Sequence, residues 1–352
     1  VFSPGFFRFK KGPAERTRAT SQKPERVAGK EEDMKVLEKV VCMMLDVHLW
    51  TGRKKLDIGD LKLVGRDQIP PEDLASLGSK KIVSPEDIAI FATLKKRAER
   101  LLEGVGIRFL GGYALPETEV EKVSADLAGI LSEFTTAKKN FLAIYDHVVQ
   151  DWINAHPEWG SIIRAAIAPK EEVERQLRFD FQMFKINPVD DRSASQLNAG
   201  LVKQVGGLGD RLFFEIGKQA EEAWELSFKG KVKITQKALR PVRAMREKLF
   251  GLSFLDPRVN PVIDRIDAIL AKLPTSGPIE NTDLDALAGL VLLLSNPDKM
   301  REHGAAARAA ISSPTAIHAE SQAEEEATET EEEFDIPSPA PTPTPLFTGT
   351  WF

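Results

Sequence analysis

The densest chemistry in this sequence is cationic. Lys229, Lys231, Lys233, Lys237, Arg240, Arg243, Arg246 and Lys248 fall close together against a single acid, Glu247. At that density lysine and arginine attract phosphate or carboxylate, provided that they share a surface. Leu239, Val242, Met245 and Leu249 recur through the same stretch at helical spacing. A helix with this apolar stripe buried would carry the bases on its flanks. Two outcomes fit: an anion- or nucleic-acid-binding face, or a solvated helix face meeting acids of a neighbouring helix.

A second concentration lies at the C-terminus. The acidic run Glu331-Glu332-Glu333-Phe334-Asp335 leads into residues 337–345, where proline alternates with Ser, Ala and Thr, and then into Leu346, Phe347, Trp351 and Phe352. The proline spacer favours extended polyproline conformation. Four large apolar side chains on such a tether read as a docking peptide for a protein partner. A tail that docks on its own chain, or one without a role, is the alternative.

Chemistry of the catalytic kind finds less support. Gly206-Gly207-Leu208-Gly209 is followed by Asp210-Arg211 rather than by the Lys-Ser/Thr pair of a phosphate loop, so it reads as a helix break. Asp190-Asp191, Asp264 with Asp267, and Asp283 with Asp285 each stand near an expected helix start, where carboxylates favour the helix dipole. Cys42 sits in an apolar run and reads as a core thiol. His48 and His147 read as surface or hydrogen-bonded histidines, not bases. No nucleophile elbow or His-Glu-x-x-His pair occurs. The expectation is therefore a protein without enzymatic activity, cofactor or metal, and a hydrolase assembled from scattered acids is a distant third class.

Composition sets the surroundings. The chain has 352 residues, 42% of them hydrophobic and 29% charged, enough for one large core or two ordinary ones. One cysteine cannot form an internal disulfide, which points to the cytoplasm. The longest apolar run, Ala286 to Leu294, is far short of the roughly 20 residues that span a bilayer, so no membrane segment is expected. The net charge of −5 is uneven: residues 315–352 carry nine acids and no lysine or arginine, and residues 1–33 carry eight bases and five acids. The first methionine is Met34. Residues 1–33 therefore read as a disordered basic leader upstream of a start at Met34, with Val1 the alternative start.

The elements that must position these groups are mostly helical. Val120, Leu127, Phe134, Phe141, Val148 and Ala155 recur every seven residues, with Val123, Ile130, Ala137 and Ile144 three later. This coiled-coil-like heptad seam predicts one helix over Glu117–Ala155, about 58 Å long. Its expected partner is the apolar-periodic stretch Ser195–Phe228, in an antiparallel hairpin, or a second copy of the chain docked along the 117–155 seam. Shorter helices are expected over 84–103, 158–168, 170–185, 235–250, 261–273 and 282–294. Strand periodicity appears near 43–50 and 106–115, which would pair in a small sheet. The reading is a mostly α (α+β) core over 34–300, followed by a disordered acidic, proline-rich tail over 301–352.

Four segments carry a family resemblance: Leu49-Trp50-Thr51-Gly52-Arg53-Lys54-Lys55-Leu56, Leu77-Gly78-Ser79-Lys80, Arg108-Phe109-Leu110-Gly111-Gly112-Tyr113-Ala114-Leu115-Pro116 and Phe254-Leu255-Asp256-Pro257. With them, residues 36–298 resemble a bacterial family catalogued as domain of unknown function thirty-one-fifty. Its members occur on conjugative plasmids, integrative elements and phages, often beside a MoxR-like AAA+ ATPase and a von Willebrand A-domain protein. The resemblance implies an accessory or adaptor protein of such a machine, with those two proteins as partners, and supplies no catalytic residue. The alternative is a DNA-associated recombination or maintenance factor using the basic stretch 229–248.

Overall fold

Residues 40–48 mix two periods because they form the second strand in from an edge of a four-stranded antiparallel sheet. Strand β1 (Val40–His48) is buried on both faces in its first four residues and only partly covered beyond them. A strand covered on both faces reads as an unbroken apolar run, which periodicity cannot tell from a helix. The structure is a computed structural model describing residues 35–56, 78–188 and 198–312.

A short antiparallel ribbon follows, β2 (Arg53–Lys55) with β3 (Ser79–Lys81). Helix α1 (Pro85–Val105) begins after Ser84 with Pro85 in its first turn, as the sequence predicts. Ser84 is extended there, and its hydroxyl bonds Glu86 rather than a backbone amide. The hairpin β4 (Ile107–Phe109) and β5 (Gly112–Pro116) leads into the long helix α2 (Val120–Ala155). Helices α3 (Gly160–Ala166) and α4 (Lys170–Gln176) precede strand β6 (Arg178–Phe184). The sheet order is β4-β5-β1-β6. The small sheet expected from 43–50 and 106–115 is present, but β1 pairs with β5 through Val40–Met43, so that only Met43 opposite Tyr113 falls within both expected ranges, and β4 pairs with β5 instead.

Two expectations are corrected here. The helix expected over 170–185 stops at Gln176, and its second half is β6, paired with β1 from Cys42↔Phe184 to His48↔Arg178. Phe179, Phe181 and Met183 alternate with Asp180 and Gln182, a period of two that identifies a strand. The partner of the long helix is also different. α2 packs antiparallel on α1, with Phe91 against Phe134 and Phe141 and Arg97 paired with Glu133. The stretch 198–228 belongs instead to the other core.

Most of the heptad seam is thus covered within the chain. Val123, Leu127, Ile130, Phe134, Phe141 and Val148 are buried against α1, the sheet and the short helices, so the seam does not present a face to a second copy. Past Phe141 the buried stripe shifts to Leu142, Tyr145, Val149 and Ile153 and leaves Ile144 52% exposed. A helix of 3.6 residues per turn drifts about 20° per heptad, so a straight helix cannot keep a strict seven-residue seam buried.

Beyond residue 198 come α5 (Ala199–Gly206) and α6 (Leu208–Ala223), broken at Gly207 as the glycine cluster predicts. A π turn over Trp224–Phe228, strand β7 (Lys233–Ile234), α7 (Leu239–Gly251), α8 (Val259–Leu270), β8 (Ile279–Glu280) and α9 (Asn281–Leu294) follow. The last helix among the described residues, α10 (Pro297–Ser312), continues through positions expected to start the tail. The chain divides into two units at Gly304–Ala305.

Within the first unit, one apolar core lies on each face of the sheet. Met43, Tyr113, Leu115 and Phe179 join α1 and α2 in an aromatic-rich core with Trp50, Phe91, Phe134, Phe141 and Tyr145. Val40, Cys42, Ile107 and Ala114 face the other way, into α6, α7, α8 and α9. Tyr145 buries its ring and donates its hydroxyl to the Ala168 carbonyl at 2.9 Å. Among the described residues no helix is long and apolar enough to cross a membrane.

Candidate functional site

The basic stretch 229–248 folds as β7 and α7, and the structure divides its cations. Leu239, Val242, Met245 and Leu249 form the buried stripe, as expected. Lys237, Arg240 and Arg243 are exposed, one turn apart, with no ion pair among the described residues. Lys231 and Lys233 flank Val232, itself 85% exposed, and Lys233 lies opposite Glu280 in the β7–β8 pair.

The other three bases are used locally. Lys229 pairs with Glu225 at 2.9 Å. Arg246 grips Asp267 with Nε and Nη2, at 2.9 and 2.8 Å, and lies over the Phe250 ring at 5.0 Å. That bidentate contact lowers the Asp267 carboxyl below its ordinary value and raises the guanidinium. Asp267, read from the sequence as a helix-start carboxylate, is an ion-pair partner instead.

Lys248 is the base whose role the sequence conceals. It is only 2% exposed, and its Nζ donates to Glu215 Oε2 at 2.8 Å and to the Glu103 carbonyl oxygen at 2.7 Å. α7 and α6 thereby hold α1, across the boundary between the two cores. The same seam covers the edge strand β4: the Arg108 amide donates to Glu215 Oε1 at 3.3 Å, and Arg211 donates to the Arg108 carbonyl. An edge strand whose outward groups are bonded to side chains cannot pair with another sheet. Arg108 also bonds Glu103 at 2.8 Å and stacks on Tyr113 with 4.2 Å between guanidinium carbon and ring centre. Burial, more than the opposing pull of Arg108, pushes the Tyr113 hydroxyl well above its ordinary pKa.

The segments that carry the resemblance are built into this framework. Gly112 lies under the neighbouring strand, where a Cβ would sit 2.5 Å from the Met43 carbonyl oxygen. Asp256 is buried and accepts the Arg258 amide at 2.8 Å and its guanidinium at 2.6 Å. Gly209 makes room for that pair, since a Cβ there would stand 2.9 Å from the Asp256 Cβ. Asp210, beside it, accepts from Arg301 at 3.1 Å and lies 3.6 Å from Arg258. The glycine cluster is therefore a packing device where α6 meets the loop before α8.

The remaining candidates separate. Cys42 is buried, and burial pushes its thiol up to about 11. His48 sits 3.1 Å from Asp46 on the exposed end of β1, and His147 pairs with Asp151 at 3.4 Å. Among the described residues no three His, Cys, Asp or Glu side chains are grouped as metal ligands would be. Asp190-Asp191 and the docking-peptide residues Leu346, Phe347, Trp351 and Phe352 lie outside the described residues. Sequence reading missed Glu215 and Glu103 because their partners are far away in the chain, and no local pattern marks such a pair.

Fold and seam together define a two-core helical scaffold built on both faces of a four-stranded antiparallel sheet. Residues 37–296 match the family described as Protein of unknown function (DUF3150), and the chain belongs to that family. No curated protein and no solved structure matches the chain.

Proposed function

We propose that this protein is a noncatalytic adaptor, acting in the cytoplasm as part of a mobile-element machine of plasmids or phages. Its partners are a MoxR-like AAA+ ATPase and a von Willebrand A-domain protein, one of them captured through Leu346, Phe347, Trp351 and Phe352. One observation carries the scaffold half of this reading. The residues behind the family resemblance, among them Gly112, Tyr113 and Asp256, are engaged in packing, edge covering and a buried ion pair. Segments that hold a framework together make a shaped body, and a shaped body with an apolar-ended tether suits recruitment.

The test is nuclease-treated affinity capture of the tagged chain from its native host, beside a version lacking Leu346–Phe352, with bound proteins identified by mass spectrometry. Recovery of an AAA+ or von Willebrand A protein with the full chain, lost with the shortened one, is the expected result. Equal recovery by both versions removes the tail from the reading, and recovery of neither protein removes the adaptor.

A second reading, a DNA-associated recombination or maintenance factor, is favoured by the exposed Lys237, Arg240 and Arg243, which form no ion pair with a described residue. Reversing these three to Glu should abolish binding to duplex DNA. Arg246 is a poor choice for that test, because its reversal would break the Asp267 pair.

A further inference from the structure

The ribbon β2–β3 concentrates positive charge more tightly than the stretch 229–248 does. Five of its six strand residues are cations: Arg53, Lys54 and Lys55 on one strand, Lys80 and Lys81 on the other, with Ser79 the sixth. Register places Arg53 opposite Lys81 and Lys54 opposite Lys80. Like charges directly opposite in an antiparallel pair repel. Arg53, Lys54 and Lys81 are exposed, and none of the three forms an ion pair with a described residue.

The ribbon's base is held on the aromatic core. The Ile82 amide donates to the Gly52 carbonyl at 2.8 Å, and Trp152 Nε1 donates to the Lys81 carbonyl at 3.2 Å. Trp50, Ile82 and Val83 are buried next to it, and Gly52 turns the chain at φ +63°, where a Cβ would stand 2.8 Å from Val83 Cγ2. The cations are thus presented by a short, firmly anchored element.

We propose that this ribbon is a nucleic-acid contact that lies in the major groove of a DNA duplex. Three features select that partner. A two-stranded antiparallel ribbon has the width that the major groove, about 12 Å across, admits. Residues alternate between the faces of a strand and directly opposed residues share a face, so Arg53 and Lys81 point one way and Lys54 the other. The groove floor and its two phosphate walls supply acceptors to both sets, whereas a bilayer or a single acidic peptide supplies anions on one side only. Finally, no apolar side chain stands among the six to anchor a peptide or enter a membrane. This contact is independent of the C-terminal docking peptide.

The experiment uses the 352-residue chain and a labelled duplex of about 24 base pairs, long enough for roughly two helical turns. Fluorescence anisotropy is measured over a salt series. Replacing Arg53, Lys54 and Lys81 together by Gln should weaken binding roughly 10- to 100-fold near 0.1 M salt and flatten the slope of log K against log salt by about 2 to 3. The thermal midpoint should not fall, because repulsion is relieved. A parallel variant, Lys237→Gln with Arg240→Gln and Arg243→Gln, separates this contact from the α7 face. Loss of binding in the α7 variant alone overturns the proposal, as does an absence of duplex binding by the unaltered chain. So does single-stranded DNA of the same sequence binding as tightly as the duplex. If a peptide of residues 320–335 binds the ribbon and the duplex does not, the occupant is an acidic segment and the proposal fails. If the Gln variant self-associates with duplex binding unchanged, the cations serve only to keep a strand edge from pairing, and the proposal again fails.

Discussion

Lys248 Nζ lies 2.8 Å from Glu215 Oε2 with almost no exposure to water, and it completes its bonding on the Glu103 carbonyl at 2.7 Å. A helix of one core thereby grips a helix of the other through a charge that solvent cannot screen. Removing one partner of a buried pair leaves the other uncompensated, which costs about 3–5 kcal/mol. Glu215 retains 20% exposure, so the lower end applies. Lys248→Ala is expected to lose about 3 kcal/mol in urea unfolding, and pairing Lys248→Met with Glu215→Leu should recover much of it.

Two glycines should respond in opposite directions to the same change. Gly112→Ala drives a methyl to 2.5 Å from the Met43 carbonyl oxygen, in the middle of the sheet, where neither strand can yield freely. A loss of about 2–3 kcal/mol is expected. Gly129 lies exposed on α2, where an added Cβ meets nothing within 4 Å. Gly129→Ala should gain about 0.5–1 kcal/mol from helix propensity alone. Paired thermal melts of the two variants decide the matter.

The Arg246–Asp267 pair gives stability a dependence on acid pH. Its bonds to Arg246 lower the Asp267 carboxyl below its ordinary 3.8, so the folded state prefers the ionised form. The pair's contribution is present above that ordinary value and disappears as pH falls through the lowered one. Both groups are partly exposed, which limits the effect to about 1 kcal/mol. Asp267→Asn should lower the melting point at pH 7, and the gap to the unaltered protein should close as pH drops below about 4.

Cys42 should be silent to thiol reagents until the chain unfolds. Its thiol is raised from an ordinary 9.0 to about 11, so the native protein holds almost no thiolate at pH 8. Keeping that thiol neutral favours the fold fully below pH 9.0, and the benefit fades as pH rises toward about 11. Modification by a disulfide reagent at pH 8 is expected to be slow in buffer and fast in denaturant. Rapid stoichiometric reaction in buffer would show that the sheet face carrying Cys42 is open.

Where a residue's neighbours in the chain are also its neighbours in space, the sequence alone sufficed. The seven-residue repeat located α2, and helical spacing located the stripe Leu239–Val242–Met245–Leu249. Ser84-Pro85 located the start of α1, the glycine cluster located the break before α6, and strand periodicity near 106–115 located the part of the sheet that β1 joins. The family resemblance was legible as well, because its segments are contiguous. These features depend on local backbone preference and on which face of one element is apolar.

Tertiary structure decided the rest, for reasons of distance and of competition between periods. Heptad spacing announced that α2 needs a partner, and only the fold showed that α1 fills that place. Phe179, Phe181 and Met183 alternate with Asp180 and Gln182, but no glycine or proline separates them from the helix before, and pairing with β1 decided between the two periods. A count of bases treats Lys248 and Arg240 alike; burial beside Glu215 makes one a bolt between cores and leaves the other free for an anion. The same holds for Arg53 and Lys81, far apart in sequence and face to face in the ribbon. A charge's role depends on what surrounds it in three dimensions, which the order of residues does not specify until the chain has folded.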